Sequence, residues 1–589
     1  MARKQTSFKW LKIGLLGLLA VVGIWQFWLT PPAYHNEILF TGGDIVTVTQ
    51  GTKEAMLVRD GRIVAIGTKA EVTALASGDA QQYDLEGKAL LPGLIEPHTH
   101  PIATAQFGAA VDISGFTHSN RAEVMQTLKE AAEQWSPNGW TIAFGWDPVM
   151  VDDLEPPTLA ELDALSAEKP LVILTQMMHD AYANSAALKA AAIGPNTPNP
   201  VGGEFVRDAD GKLTGTVREV NAIGQLFSHV PPPPAGSIEL ITNMQFGAYA
   251  RAGFTTIAAA GLVSTAHDQV TMYKRLAAHP DAPVQAIMYG LPNQLPAQGG
   301  PQAATEPGAI IGVKFWMDGS PYAGGAATDE PYTVSDLTVQ RLHLPPGHIA
   351  PLNYDAMSFQ QAFETYHRRG YQVAVHVQGE RAVEQTLDVV STVQAAYPNP
   401  GLHHRMEHNA LITSGQLARA KTLGMTTSFF VDHVTFYGHR LPEIFGPERT
   451  AHYMPVKAAI DAGLRVSLHA DNPATPIGPM RTFAAAVTRQ PHRGGPKVAP
   501  DQAITRLEAL RAMTIDAAWQ LGLAEERGSL EVGKAADLVI LSANPLTAPE
   551  ESLATITAEA TWISGRRIDS RKTTAANAAL LWEVTKGLF

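Results

Sequence analysis

The sequence predicts an α/β fold: a (β/α)8 barrel carrying a small β-sandwich built from both ends of the chain, with an N-terminal transmembrane helix ahead of it. Three observations carry this. Strand-like and helix-like segments alternate through the middle of the chain, the mark of a parallel α/β sheet. Eight strand-like runs can be picked out there, the number that closes a barrel. Two β-rich stretches, near residues 38–67 and 528–568, share one pattern and flank that middle.

The first stretch to justify is the N-terminus. Arg3, Lys4, Lys9 and Lys12 precede an apolar run from Ile13 to Leu29, broken only by Gln26. A basic flank before an apolar run is the pattern of an export signal or a single membrane anchor. The run ends in Trp25, Phe27 and Trp28, followed by Thr30-Pro31-Pro32, without the small residues of a cleavage site. Aromatic residues suit the membrane–water interface, so residues 1–33 are expected to stay as an anchor. The basic side would remain cytoplasmic, which puts the rest of the chain on the non-cytoplasmic side, periplasmic or extracellular.

Residues 34–91 and 521–568 form the two parts of the expected sandwich. Asp60-Gly61 inside the first is a strong hairpin signal. The barrel is expected over 92–520, with an insertion at about 101–245, and an apolar helical tail over 569–589. After the strand that runs into His98, the barrel strands read as 254–258, 284–289, 311–316, 371–376, 404–408, 425–430 and 464–471. The insertion has strand-like runs of its own at 140–146 and 171–176.

With 589 residues, 45% of them hydrophobic and 17% charged, the chain can bury a large core. A formal net charge of −12 argues against nucleic acid as a partner, because phosphate binding needs a basic surface. There are no cysteines, so disulfides and thiolate metal sites are excluded.

The chemistry starts at His98 and His100. Side chains at i and i+2 of a strand share a face, so both imidazoles can reach one point beyond the strand's C-terminal end. That end is where parallel barrels build their sites. Lys314 lies in the fourth strand, His376 ends the fifth, His408 the sixth, and Asp471 the eighth. Imidazole and carboxylate donors suit a zinc-type metal.

This pattern resembles the amidohydrolase superfamily, through Pro92-Gly-Leu-Ile-Glu-Pro-His-Thr-His100, Gly312-Val-Lys-Phe-Trp-Met-Asp-Gly-Ser320, His376-Val-Gln-Gly-Glu-Arg-Ala382, Arg405-Met-Glu-His408 and His469-Ala-Asp-Asn-Pro473. Gly528-Ser-Leu-Glu-Val-Gly-Lys-Ala-Ala-Asp-Leu538 adds to the likeness. The branch looks like the amidohydrolase-3 group, similar to N-substituted formamide deformylases. Gly145-Trp-Asp147 and His179-Asp-Ala-Tyr-Ala-Asn-Ser185 fit that group as well. Glu96 stands where the group often has Asp, and Glu380 where it has Asp in Gly-Asp-Arg-Ala; both substitutions keep the charge. After Ser320 the chain departs from the group's usual loop, so substrate identity does not carry over.

The resemblance implies one or two divalent ions, with zinc favoured, held by His98, His100, Lys314, His376, His408 and Asp471. A free ammonium has no lone pair to offer, and the family resolves this by carboxylating the lysine; Lys314 is the candidate for that carbamate. Asp471 is the expected proton shuttle. Trp146, His179 and Asp318 are expected near a small-molecule substrate, since long loops at this rim carry specificity. The expected reaction is hydrolysis of an amide, formamide or other C–N bond. Lactonase, esterase or deaminase activity on the same site is an alternative. A non-catalytic binding protein of the same fold would be signalled by missing ligands, and none is missing. A homo-oligomer is compatible with all of this.

Overall fold

The eight barrel strands, numbered β1 to β8 in chain order, are Leu94–Thr99, Phe254–Ala260, Gln285–Gly290, Ile310–Trp316, Gln372–Val377, Arg405–His408, Thr426–Phe429 and Val466–Leu468. They form one sheet in which each strand lies beside its chain neighbour, all parallel. Every residue of β2 is buried. A parallel strand covered on both faces reads as a near-continuous apolar run, which is why these strands are visible in the sequence. The computed structural model describes residues 35–136, 138–200, 203–263, 268–568 and 575–586. The expected anchor, residues 1–33, lies outside these. Among the described residues, no helix is long and apolar enough to cross a membrane.

The sheet is nearly closed. β8 and β1 share no ladder, but the seam is stitched: His100 N donates to Asn472 O at 2.9 Å, and the Glu96 carboxyl accepts from Ala470 N and His98 N, each at 3.3 Å. Glu96 is thus a structural clasp between the first and last strands. Burial holds its pKa well above the usual carboxylic range, against the pull of those two backbone N–H groups.

Two details depart from the sequence reading. The run into His98 is two strands, split at Gly93. Ala89–Pro92 belongs to the sandwich and Leu94–Thr99 to the barrel. A Cβ at Gly93 would meet the Thr255 side chain at 2.2 Å, so only glycine lets the chain cross there. The eighth strand ends at Leu468, so Asp471 lies on a loop beyond it, in the left-handed conformation (φ 49°).

The return helices are amphipathic. In Glu380–Ala396, Val383, Leu387, Val390 and Val393 recur at helical spacing and face the barrel. Each such side chain contributes about 1.5–3 kcal/mol when fully buried.

The sandwich pairs a four-stranded sheet with a six-stranded one that takes strands from both ends of the chain. Phe40, Tyr83 and Trp562 meet between the sheets, with ring centroids 5.3–5.5 Å apart. Arg59 pairs with Arg62 across the Asp60-Gly61 turn, where both residues have positive φ (49° and 77°), the backbone of a two-residue hairpin loop.

The segment after β1 forms a six-stranded sheet of its own, from Val111–Asp112 to Leu213–Arg218. It docks on the rim: Gln176 Nε2 donates to Pro473 O (3.2 Å) and Ala474 O (3.1 Å), and Tyr437 donates its hydroxyl to Asp147 at 2.9 Å. The tail helix, Ala575–Lys586, lies along Ser237–Arg251, where Asn243 bonds Asn577.

Candidate metal centre

β1 delivers His98 and His100 to one face, as alternation requires. β6 breaks that rule. Glu407 and His408 are consecutive, yet both reach the centre, because His408 (φ 75°) and Asn409 (φ 57°) are left-handed. Asn409 holds the twist by donating its amide to Met406 O at 2.8 Å and Ser428 O at 3.0 Å. The Asp471 loop is fixed by Asn472 Nδ2 donating to Thr475 O at 2.8 Å, and by Gln176 from the insertion.

Around His98 Nε2 stand Lys314 Nζ at 3.2 Å and Asp471 Oδ1 at 3.3 Å. Asp471 Oδ1 is also 3.3 Å from His100 Nε2. A tetrahedron with bonds of about 2.0–2.1 Å has edges of about 3.3–3.4 Å, so these spacings suit atoms sharing one cation. The rings of His98 and His408 lie 4.7 Å apart, and those of His376 and His408 4.4 Å. Asp471 Oδ1 and His376 Nε2 are buried and have no hydrogen-bond partner among the described residues. Buried polar atoms are rarely left so. Two orphaned lone-pair donors beside the imidazoles of His98, His100 and His408 and the amine of Lys314 fit a divalent cation.

The electrostatics agree. Burial, reinforced by Lys314, holds His98 and His376 well below the ordinary imidazole pKa; His408 is held down by burial and by His376 beside it. These rings are neutral, the form that ligates. Burial pulls the Lys314 amine down to about 8, against the pull of Glu407 and Asp471. Beneath the centre, Glu407 accepts the His98 Nδ1 proton at 2.6 Å and pairs with buried Arg405 at 2.8 Å. Arg405 in turn donates to Tyr289 Oη at 3.0 Å. Gly312 makes room for Tyr289, since a Cβ there would meet the Tyr289 ring at 2.4 Å.

All six ligand candidates read from the sequence therefore lie around one rim. The three substrate candidates are placed differently. Asp318 is 1% exposed and accepts from the backbone N–H groups of Gln378, Gly379 and Ala327; its Oδ1 is 3.5 Å from His376 Nε2. Burial pushes its carboxyl up to about 7. Trp146 is fully buried against Tyr182. His179 is half-buried, with Nδ1 on Glu219 at 3.2 Å. The structure joins Asp318 to the centre through His376 and gives His179 and Trp146 no hydrogen bond to it.

Three participants were not read from the sequence. Glu407 and Arg405 brace His98, and His469 sits 3.1 Å from His408. A signal for His469 exists: it precedes Asp471 by two, the same spacing as His98 and His100.

The fold and site together define a metal-dependent hydrolase barrel. The amidohydrolase family model matches residues 81–569. The chain belongs to the amidohydrolase family and is a hydrolase of carbon–nitrogen bonds. It is 28% identical over 547 residues to the N-substituted formamide deformylase of Arthrobacter pascens, covering 90% of this chain and 98% of that one. It is 27% identical to Protein LONG AFTER FAR-RED 3 of Arabidopsis thaliana, covering 88% of this chain and 89% of that one. Among solved structures, an uncharacterised metal-dependent hydrolase from Pyrococcus horikoshii shares the fold, with a TM-score of 0.69 and 22% identity, over 87% of this chain and 99% of that one.

Proposed function

We propose that this protein hydrolyses the C–N bond of a small N-substituted formamide or amide, using water activated between His98, His100, His376, His408, Lys314 and Asp471. The observation that carries this is Asp471 Oδ1, buried without a hydrogen bond and 3.3 Å from two imidazole nitrogens. The formamide class is supported by the relationship to the Arthrobacter deformylase, which spans nearly both chains.

When bound, a divalent cation such as zinc supplies Lewis acidity that polarises a carbonyl and makes water acidic enough to lose its proton near neutral pH. The four histidines would hold it through ring nitrogens, which add no charge of their own. Asp471 takes the proton from the attacking water and returns it to the departing nitrogen, so formamide plus water becomes formate plus amine. Lys314, with its amine pulled down to about 8, offers a larger un-ionised fraction than an ordinary lysine, and that fraction can add carbon dioxide; the N–C bond forms and a proton is released, leaving an anionic carbamate. That anion supplies lone pairs where a free ammonium has none.

Residues 1–33 would tether the enzyme to a membrane, with the barrel on the non-cytoplasmic side, as their basic-then-apolar order suggests.

The test is a hydrolysis panel of N-substituted formamides, simple amides and lactones, run on zinc-loaded protein with formate and amine both quantified. Formate and amine released in equal amounts support the reading. Turnover of lactones alone would replace it.

A further inference from the structure

We infer that His469 is the positioning residue that sets the tautomer of His408, and so decides which nitrogen of His408 faces the metal. The inference rests on the metal-centre reading above.

Two of the site's histidines show how their protons are fixed. His98 Nδ1 is 2.6 Å from a Glu407 carboxylate oxygen, and His100 Nδ1 is 3.2 Å from Gly261 O. Neither acceptor carries a proton, so each Nδ1 is an N–H and each Nε2 keeps its lone pair for the centre. His408 Nδ1 has a carboxylate oxygen, Asp471 Oδ2, only at 4.0 Å, beyond hydrogen-bond reach. It has His469 Nε2 at 3.1 Å.

One proton lies between those two nitrogens. Were it on His469, His408 would accept at Nδ1, carry its own proton on Nε2, and have no lone pair left. If His408 Nδ1–H donates instead, Nε2 of His408 is free to ligate. His469 then carries its proton on Nδ1, and that N–H points to Ser428 Oγ at 2.7 Å. The chain His408 Nδ1–H to His469 Nε2, then His469 Nδ1–H to Ser428 Oγ, is consistent in every member. A hydroxyl can accept that proton with no change of charge.

The His469 ring is held for this. It is fully buried and stacked on His98 (centroids 4.6 Å, 16° between planes), with Phe430 at 5.4 Å and 29° on another side. Partners of this kind orient metal-bound histidines, and losing one typically costs about 10–100-fold in metal affinity.

Two substitutions separate this role from simple packing. His469→Phe keeps a ring and removes the acceptor. His469→Gln keeps an acceptor oxygen. Zinc affinity should be measured by competition with a chromogenic chelator, on wild type and both variants, with thermal unfolding of the chelator-stripped proteins in parallel. We expect wild type to bind tightly, His469→Phe about 10–100-fold more weakly, and His469→Gln close to wild type. His469→Phe binding zinc as tightly as wild type would overturn the inference. So would equal losses in both variants, since a direct ligand is not replaced by glutamine. If a variant fails to fold, a structure of the zinc-loaded wild type decides: His408 Nε2 at the metal supports the assignment, and His469 Nε2 or His408 Nδ1 at the metal refutes it. A wild type that binds no zinc would instead defeat the metal-centre reading.

Discussion

His98 donates its Nδ1 proton to Glu407 across 2.6 Å, from the first strand of the barrel to the sixth. Glu407 is itself locked by Arg405, with 2.8 Å between Nε and Oε1. The carboxylate therefore does two jobs: it aims His98 and it neutralises a guanidinium that has no exposed surface.

Glu407→Gln should separate those jobs. The amide oxygen can still accept from His98, but Arg405 loses its counter-charge. Breaking one side of a buried ion pair costs about 3–5 kcal/mol, so the melting temperature should fall clearly. Zinc affinity should fall by about 10–100-fold as the brace weakens. Calorimetry with and without zinc reads both effects, and an unchanged melting temperature in the stripped protein would rule out the pairing.

Asp471→Asn removes the base and keeps an oxygen in place. Activity should drop at least about 100-fold, the low end for a lost general base, while most of the metal stays bound. Steady-state kinetics beside elemental analysis checks this; native turnover without the carboxylate would exclude the proposed mechanism.

Carbamate formation at Lys314 consumes carbon dioxide, so reconstitution should depend on it. Stripped protein given zinc in carbon dioxide-free buffer should regain little activity, and added bicarbonate should restore it. Lys314→Ala should show no bicarbonate effect. Equal recovery with and without bicarbonate would count against the carbamate.

The far end of the barrel sets a pH dependence. His404 accepts the Val373 N–H at Nδ1 (2.9 Å) and donates from Nε2 to His367 Nδ1 (2.9 Å); His367 then donates to Tyr397 O (2.7 Å). Burial, aided by His367, brings His404 down to about 3 from its ordinary 6.5. The unfolded chain therefore binds the proton first. The stability tied to neutral His404 is complete above about pH 6.5 and is lost as pH falls towards 3, by up to about 1.4 kcal/mol per pH unit. His404→Gln should flatten the stability–pH curve in that window alone. A wild-type-like slope in the variant would assign the effect elsewhere.

Residues 1–33 should remain on the mature protein and partition it to membranes. Intact-mass spectrometry of the membrane fraction reads this directly. A mature chain beginning near Ala33 would mean a cleaved signal.

Much of this was legible from the sequence, for definite reasons. Parallel barrel strands are buried on both faces, so β2 to β5 stand out as apolar runs, with Lys314 and His376 near the ends of β4 and β5. What was hidden depends on backbone that breaks alternation. A regular strand would turn Glu407 away from His408; the left-handed φ of His408 brings both inward, and no local pattern announces it. Gly93 looks like part of a continuous strand, and only the closeness of Thr255 shows why the chain must change sheets there. Trp146 fits the resemblance to the deformylase group but is fully buried in the main hydrophobic core that the barrel shares with the insertion, which its place in the motif does not announce. His469 was within reach, two residues before Asp471, the same spacing as His98 and His100.

Side chains from β1, β4, β5 and β6 and the loop after β8 gather around one candidate metal centre. Zinc bound per chain, measured by elemental analysis after stripping, reloading and desalting, tests it most directly when wild type is compared with a His98→Asn, His100→Asn double variant. At least one ion per wild-type chain is expected, and almost none in the folded double variant. Equal zinc in both proteins, or none in either, would contradict it.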